Sequence, residues 1–325
     1  MPEAHKRSYR HPKYKTAFRV KNWREYEQSL CARGDITLWI TPEAIDAWRA
    51  PMTGKRGAQP VYSDLAIETA IALRLLFHLP LRQTEGFLGS VLKLMGLALP
   101  CPDHTTLSRR NATVAIRRQV ERAPQVPIDV IVDSTGLKVC GQGEWHSQKH
   151  REKKVKRWKK LHIGVDDQGQ IVASTVTESH VQNPSQVPAL LDQIDEEIER
   201  FIGDGIYDQG PVYAAVEAHS PGAQVTIPPR KVAAPSPTVA TSPTQRDQHI
   251  VAIERDGMFV WKRTSGYYAQ SHAENAFARY KRTFGGHMRA KRDDAQELEA
   301  AIACELLNRM RELGYAQNSC KKLQA

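Results

Sequence analysis

From Asp64 to Ala123 the apolar residues recur at helical spacing. Ile67, Ala70, Ile71 and Leu75 suit one helix, and Phe87, Val91, Leu94 and Met95 suit a second that ends at Gly96. Pro100 and Pro102 break the chain, and Asp103 is placed to N-cap a third helix through Thr105, Thr106, Ser108, Arg109 and Arg110. Three short helices, the third polar and Arg-bearing, have the layout of a helix-turn-helix unit over about 64–123; an ordinary helical bundle has the same pattern. Residues 1–60 are polar and rich in turn formers, with only short amphipathic pieces.

The pattern changes between Pro124 and Pro127, which divides the chain into an N-terminal helical domain, 1–126, and a second domain, 127–325. Ile128–Asp133 reads as an apolar central strand closed by Asp133. Leu161–Asp166 and Ile171–Val176 are two more strands, joined as a hairpin by Asp167-Gln168-Gly169. A helix is predicted from about Pro184 to Glu199, then a short strand to Gly203, a helix near 210–218 and a strand over Gln224–Ile227. Strands followed by helix–strand alternation predict a mixed α/β sheet flanked by helices. A Pro-rich loop follows over 228–248. Asp256-Gly257 then predicts a hairpin between Ile250–Ile253 and Met258–Trp261, and two long helices begin near Ser271 and Asp294. There is no internal repeat.

Charge sharpens this picture. The 325 residues carry a formal net charge of +10, unevenly spread. Residues 1–24 are net +7, residues 149–160 net +7 and residues 279–292 net +6, which leaves the remainder at −10. Three dense basic runs with Tyr9, Tyr14, Phe18, Trp145, Trp158 and Tyr280 nearby predict a polyanionic partner. The longest apolar run, Leu65 to Leu81, contains Glu68, Arg74 and Pro80, so it does not span a bilayer, and 149–160 lacks the apolar face of an interfacial helix. The N-terminus has no apolar stretch behind its charges, so a cytoplasmic protein is expected. Cys31, Cys101, Cys140, Cys304 and Cys320 lie far apart without a C-x-x-C pair, which indicates neither a disulfide framework nor a zinc site.

Three acids stand where acids are costly. Asp133 closes an apolar strand, Asp204 closes another after Phe201-Ile202, and Glu274 falls in the first turn of a helix whose buried stripe is Ala273, Phe277, Tyr280 and Phe284. Clustered carboxylates are stabilised by a divalent cation, and all-oxygen ligation suits Mg²⁺ or Mn²⁺. Two such ions about 4 Å apart clamp both oxygens of a phosphodiester displacement. Each acid also has a purely structural reading: an Asx turn at Asp133, a hairpin turn at Asp204-Gly205, a capping box in Ser271-His272-Ala273-Glu274. Trp261 fits a core position or a stacking platform for an unpaired base. His162 fits a hydrogen-bonded core histidine, and His146 and His150 a DNA-facing polar pair.

At these residues the chain resembles bacterial insertion-sequence transposases of the DDE class, most of all the family named after insertion sequence five. The resemblance is carried by Asp133-Ser134-Thr135-Gly136-Leu137-Lys138 with Gly143-Glu144-Trp145 and Lys149-His150; by Trp158-Lys159-Lys160-Leu161-His162; by Gly203-Asp204-Gly205-Ile206-Tyr207-Asp208; and by the pattern Y-x-x-R-x-x-x-E-x-x-x-x-x-x-K, here Tyr267, Gln270, Glu274 and Lys281. It covers about 60–310 and departs at Gln270, where the family usually has Arg. It implies an RNase H-like fold over roughly 128–290, with Asp133 on the first strand, Asp204 after the fourth and Glu274 on a later helix.

The resemblance further implies an N-terminal DNA-binding domain that reads terminal inverted repeats, and an enzyme that cleaves DNA and joins the 3′-OH ends to target DNA. Asp133, Asp204 and Glu274 are then the catalytic acids, holding two Mg²⁺ ions, with Mn²⁺ as the alternative. Lys149, Lys153, Lys154, Lys156, Arg157, Lys159, Lys160, Arg279 and Lys281 are expected to hold phosphates, and Thr105, Thr106, Arg109 and Arg110 to contact the repeats. The expected partner is double-stranded DNA, bound by a homodimer or larger assembly at the nucleoid, with no membrane and no small-molecule substrate. Two alternatives stay open: an RNase H-fold nuclease or resolvase that cuts without joining, and a DNA-binding regulator without catalysis.

Overall fold

A computed structural model describes residues 18–52, 54, 56–57, 59–111, 113–114, 126–139 and 158–320. The chain divides into two compact units.

The first unit comprises residues 18–38 and 309–320. Strand β1 (Phe18–Val20) pairs antiparallel with β8 (Asn318–Cys320), and α1 (Trp23–Ala32) follows β1. Asn22 ties the two chain segments together through Tyr315 O and Gln317 N, and Arg33 Nη2 donates to Gly314 O at 2.9 Å.

The second unit, Trp39–Asn308, begins with helices, continues into the sheet and closes with further helices. Between α2 (Ile36–Trp39) and the sheet lie α3 (Pro42–Asp46), α4 (Asp64–Leu76), α5 (Leu81–Leu94) and α6 (His104–Arg110). Helix α4 is capped by Ser63 Oγ and is buried nearly all round, as expected of a helix enclosed by neighbours on every side. Helix α5 buries Thr84, Leu88 and Leu92 rather than the predicted Phe87 stripe, and Leu94 is exposed. Asp103 caps α6 as predicted, accepting from the backbone N–H groups of Thr105 and Thr106.

The sheet is built from β2 (Ile128–Val139), β3 (Trp158–Val165), β4 (Ile171–Glu178), β5 (Ile198–Ile202) and β6 (Gln224–Thr226), in the order β4-β3-β2-β5-β6. The first three form an antiparallel meander, and β5 and β6 run parallel to β2. A short β7 (His287–Met288) pairs parallel with the last two residues of β2, Lys138 and Val139. One face packs on α7 (Val187–Leu191) and α8 (Gly210–His219) through Val130, Val132, Phe201, Val212 and Tyr207. Against the other lies α11 (Ser271–Phe284), which buries Ala273, Ala276, Phe277, Tyr280 and Phe284. This mixed sheet flanked by helices is consistent with an RNase H-like fold.

Three expectations need correction. Strand β2 does not close at Asp133 but runs six residues further, because Ser134 to Lys138 pair one for one with β3 down to Trp158. The helix predicted over Pro184–Glu199 stops at Leu191 after a 3₁₀ turn, Asn183–Gln186. Beyond Leu191 the chain carries Asp192, Asp195, Glu196, Glu197 and Glu199, and negative charge opposes a helix C-terminus. The hairpin predicted at Asp256-Gly257 is a pair of helices, α9 (Gln245–Asp256) and α10 (Met258–Thr264). A reciprocal capping box between Thr244 and Asp247 starts α9, and Gly257, at φ 82°, breaks the chain between them. The Pro-rich segment is therefore irregular only as far as Pro243. Helix α12 (Asp293–Glu312) follows β7.

Candidate active site

The topology brings Asp133 and Asp204 side by side. The parallel pairing of β2 with β5 ends at Ile131↔Ile202, and each acid lies two residues beyond that last pair. Alternation along β2 sends Val130 and Val132 into the core under α7 and α8, so Asp133 and Thr135 face α11. Helix α11 supplies Glu274 from its first turn, and two turns later Lys281 Nζ donates to Thr135 Oγ1 at 2.6 Å.

The fields of the acids overlap. Burial pushes the Asp133 carboxyl up to about 6, the Ser134 N–H at 2.7 Å pulls against that, and the charges of Asp204 and Glu274 add to the rise. Burial also raises Asp204, opposed by the backbone N–H groups of Ile206 and Tyr207. The hydroxyl of Tyr267 is raised by burial and by all three carboxylates, so this ring stands beside the whole group. Tyr207 is fully buried, and its hydroxyl is raised by burial, Asp133 and Asp204. A Cβ at Gly203 would come within 3.1 Å of the Tyr207 ring, so glycine lets that ring pack under the acid-bearing turn.

The structural readings of the acids fare unevenly. Asp204 makes no hairpin turn; it caps the 3₁₀ turn Gly205–Tyr207, its Oδ1 accepting from Ile206 N at 3.0 Å. Glu274 belongs to no capping box: Gln270 occupies the N-cap position of α11 without a side-chain capping bond, and Ser271 Oγ donates to Tyr268 O instead. Gln270 is buried, and its Nε2 donates to the Val132 carbonyl at 3.1 Å.

As the side chains stand, no three His, Cys, Asp or Glu residues among the described residues converge as a ready metal cage. The donor set still suits a hard divalent cation. It is all-oxygen, none of the three acids is paired with a basic side chain among the described residues, and mutual repulsion of this kind is what bound cations relieve.

Of the expected phosphate contacts, Lys149, Lys153, Lys154, Lys156 and Arg157 lie outside the described residues, as do His146 and His150. Lys159 is buried between Glu178 Oε1 at 2.5 Å and Asp293 Oδ1 at 2.9 Å. Lys160 Nζ donates to Val181 O and Asn183 Oδ1, and Arg279 Nη2 to Gly169 O. Lys281 is exposed, and its Nζ bonds Thr135, two residues from Asp133. On α6, Thr105 and Thr106 bond to Asp103, Arg110 pairs with Asp64 and the Tyr62 carbonyl, and exposed Arg109 reaches, among the described residues, only Thr106 Oγ1 at 3.3 Å.

Trp261 is a core residue, its ring packed on His249 and Tyr267 and its Nε1 donating to His249 Nδ1 at 3.2 Å, so it offers no stacking face. His162 is fully buried, as expected, with Nε2 2.8 Å from Thr177 Oγ1. A pair that the sequence reading missed is Asp208–Arg246, which lies 38 residues apart along the chain.

Two family models, each described as a transposase DDE domain, match this chain, one over residues 31–142 and the other over residues 124–309. The second spans more than half of the sequence.

Proposed function

The chain belongs to the DDE transposases, and from that premise we propose that it binds the terminal inverted repeats of an insertion sequence, cleaves DNA there and joins the 3′-OH ends to target DNA. The observation that carries this reading is that Asp133 within β2, Asp204 just past β5 and Glu274 in the first turn of α11 lie close enough for the charges of Asp204 and Glu274 to add to the burial that holds Asp133 up at about 6.

Asp133, Asp204 and Glu274 would hold two Mg²⁺ ions, or Mn²⁺. Ions bound there supply Lewis-acid activation of the attacking oxygen and neutralise charge on the scissile phosphate. The protein's own groups do the rest. The parallel strands fix the spacing of the two aspartates, and Gln270 braces the strand beneath Asp133. Buried Tyr207 and half-buried Tyr267 lie close enough to the acids to feel their charges and lower the local polarity around them. Lys281, anchored on Thr135, stands ready for a DNA phosphate, a contact that supplies register rather than sequence reading. Repeat recognition falls to the helical region before the sheet, with exposed Arg109 on α6 as its freest cation among the residues predicted there.

The test gives the purified protein a donor carrying its own terminal repeats, a target plasmid and Mg²⁺. Joined donor–target product is expected, and Asp204→Ala and Glu274→Ala are expected to abolish it. Joining that survives either substitution would end the assignment of the acids; cutting without joining would make the protein a nuclease.

A further inference from the structure

The chain leaves β6 at the same end of the sheet as it leaves β5, because the two strands are parallel. The segment Pro228-Pro229-Arg230 therefore emerges beside the Asp204 turn, and the packing is close. A Cβ at Gly205 would stand 3.2 Å from the Pro228 carbonyl oxygen. Asp208 then locks the segment down. Its side chain is fully buried; Arg246 Nε donates to Oδ1 at 2.7 Å and Nη2 to Oδ2 at 3.1 Å, while the Arg230 backbone N–H donates to Oδ2 at 3.1 Å. Arg246 also donates to Ala234 O, and the next residue, Asp247, accepts from Ser236 N and Oγ. Two consecutive residues of α9 thus stitch both halves of the Pro-rich segment in place.

This is more construction than a linker requires, and what it presents is Arg230. Two prolines fix the backbone just before it, and its own N–H is held by a buried carboxylate. Its guanidinium is exposed and touches the site only through Nη2 to Ile206 O, at 3.4 Å. Among the described residues no carboxylate pairs with it. An arginine fork whose other donors are unused among the described residues, reaching Ile206 two residues after Asp204, matches a phosphate diester in geometry and charge. The acids themselves repel such a phosphate, so a cation placed at their edge offsets that repulsion.

We propose that Arg230 holds a DNA phosphate at the edge of the acidic site, with Asp208 and Arg246 as the positioning residues that present it. The inference rests on the transposase reading above. Arg230 is then a contact to the substrate backbone, and Asp208 acts only through it and through the loop.

The experiment compares wild type, Arg230→Ala, Arg230→Gln and Arg230→Lys on donor DNA carrying the terminal repeats, measuring the cleavage rate and the salt dependence of binding. Loss of one phosphate contact is expected to reduce the slope of log K against log salt by about 0.9 in the Ala and Gln variants and to leave it near wild type in Arg230→Lys. Cleavage is expected to slow at least tenfold in Ala and Gln and to recover substantially in Lys. Gln keeps an amide that can reach Ile206 O, so if Arg230→Ala unfolds in less urea than wild type, the Gln variant decides. An unchanged slope and rate in Arg230→Gln would overturn the proposal, as would Gln restoring function as well as Lys. The binding slope is read without any chemistry, so failure of the transposase reading, seen as wild type that forms no cut or joined product, is a separate result.

Discussion

Gln270 donates through Nε2 to the carbonyl of Val132, the residue before Asp133, at 3.1 Å. That carbonyl lies one residue past the last β2–β5 pair, so the amide continues the sheet's bonding where β5 has ended. The position at which the motif resemblance expects Arg is, in this chain, a brace on the strand that carries Asp133. Gln270→Ala leaves a buried carbonyl without that donor and is expected to cost about 1–3 kcal/mol in urea unfolding. It is also expected to slow strand cleavage, since Asp133 is the next residue. An unchanged urea midpoint would show that Gln270 does not brace the strand.

The Asp133 carboxyl, pushed up to about 6, gives the metal-free protein a signature in pH. A carboxyl raised above its unfolded value favours the protonated fold, so its contribution is present below about pH 4 and is lost as pH rises through 6. With chelator present, wild type should lose roughly 1–2 kcal/mol relative to Asp133→Asn between pH 4 and pH 7.5, a figure discounted for partial exposure. Adding Mg²⁺ or Mn²⁺ at pH 7.5 should raise the wild-type Tm and leave Asp204→Asn nearly unmoved. Equal metal responses in both proteins would remove Asp204 from the ligand set.

The strands and their acids were legible because burial on both faces writes a plain apolar run, as in Val130-Ile131-Val132, and an acid at the end of such a run stands out. The continuation of β2 was not, since Ser134, Thr135, Gly136 and Lys138 carry no such signal and are held in the strand by their partners on β3. Asp256-Gly257 misled for a different reason. The same dipeptide that turns a hairpin also ends a helix, and only the Thr244–Asp247 capping box upstream separates the two. The Asp208–Arg246 clamp was invisible because nothing local to either residue announces a partner so far along the chain.

Lys281 Nζ reaches Thr135 Oγ1 at 2.6 Å, which ties a long flexible side chain to β2 two residues from Asp133. Lys281→Ala is expected to lower the affinity for donor DNA and to flatten its salt dependence by about one phosphate contact. Thr135→Val keeps the charge and loses only the anchor, so its binding slope should stay at the wild-type value while cleavage slows severalfold. If Thr135→Val flattens the slope as much as Lys281→Ala, the anchor is not a separate function.

Neighbouring arginines on α6 should behave differently. Arg110 is engaged with Asp64 and the Tyr62 carbonyl, whereas Arg109 is exposed and, among the described residues, bonds only Thr106. Arg110→Ala is expected to cost stability, about 1 kcal/mol for a partly exposed pair with an added carbonyl bond. Arg109→Ala should leave the urea midpoint alone and weaken binding to repeat-bearing DNA. Gel-shift titration beside urea unfolding separates the two, and a reversed pattern would put Arg110, not Arg109, at the DNA.

His162 offers the cleanest test of the core. It is fully buried on β3 beside Lys160, its Nε2 lies 2.8 Å from Thr177 Oγ1, and burial together with the Lys160 charge pushes its pKa down to about 4. The fold therefore holds the neutral ring. A histidine depressed in this way contributes stability that is complete above the unfolded value near 6.5 and is lost as pH falls toward 4. Between pH 7 and pH 4.5 that loss amounts to about 2–3 kcal/mol. His162→Gln keeps a polar group within reach of Thr177 but does not titrate, so it should start less stable at pH 7 and lose correspondingly less on acidification. Urea midpoints for both proteins at the two pH values measure the difference. Equal losses would mean that the imidazole takes up its proton inside the folded sheet without penalty.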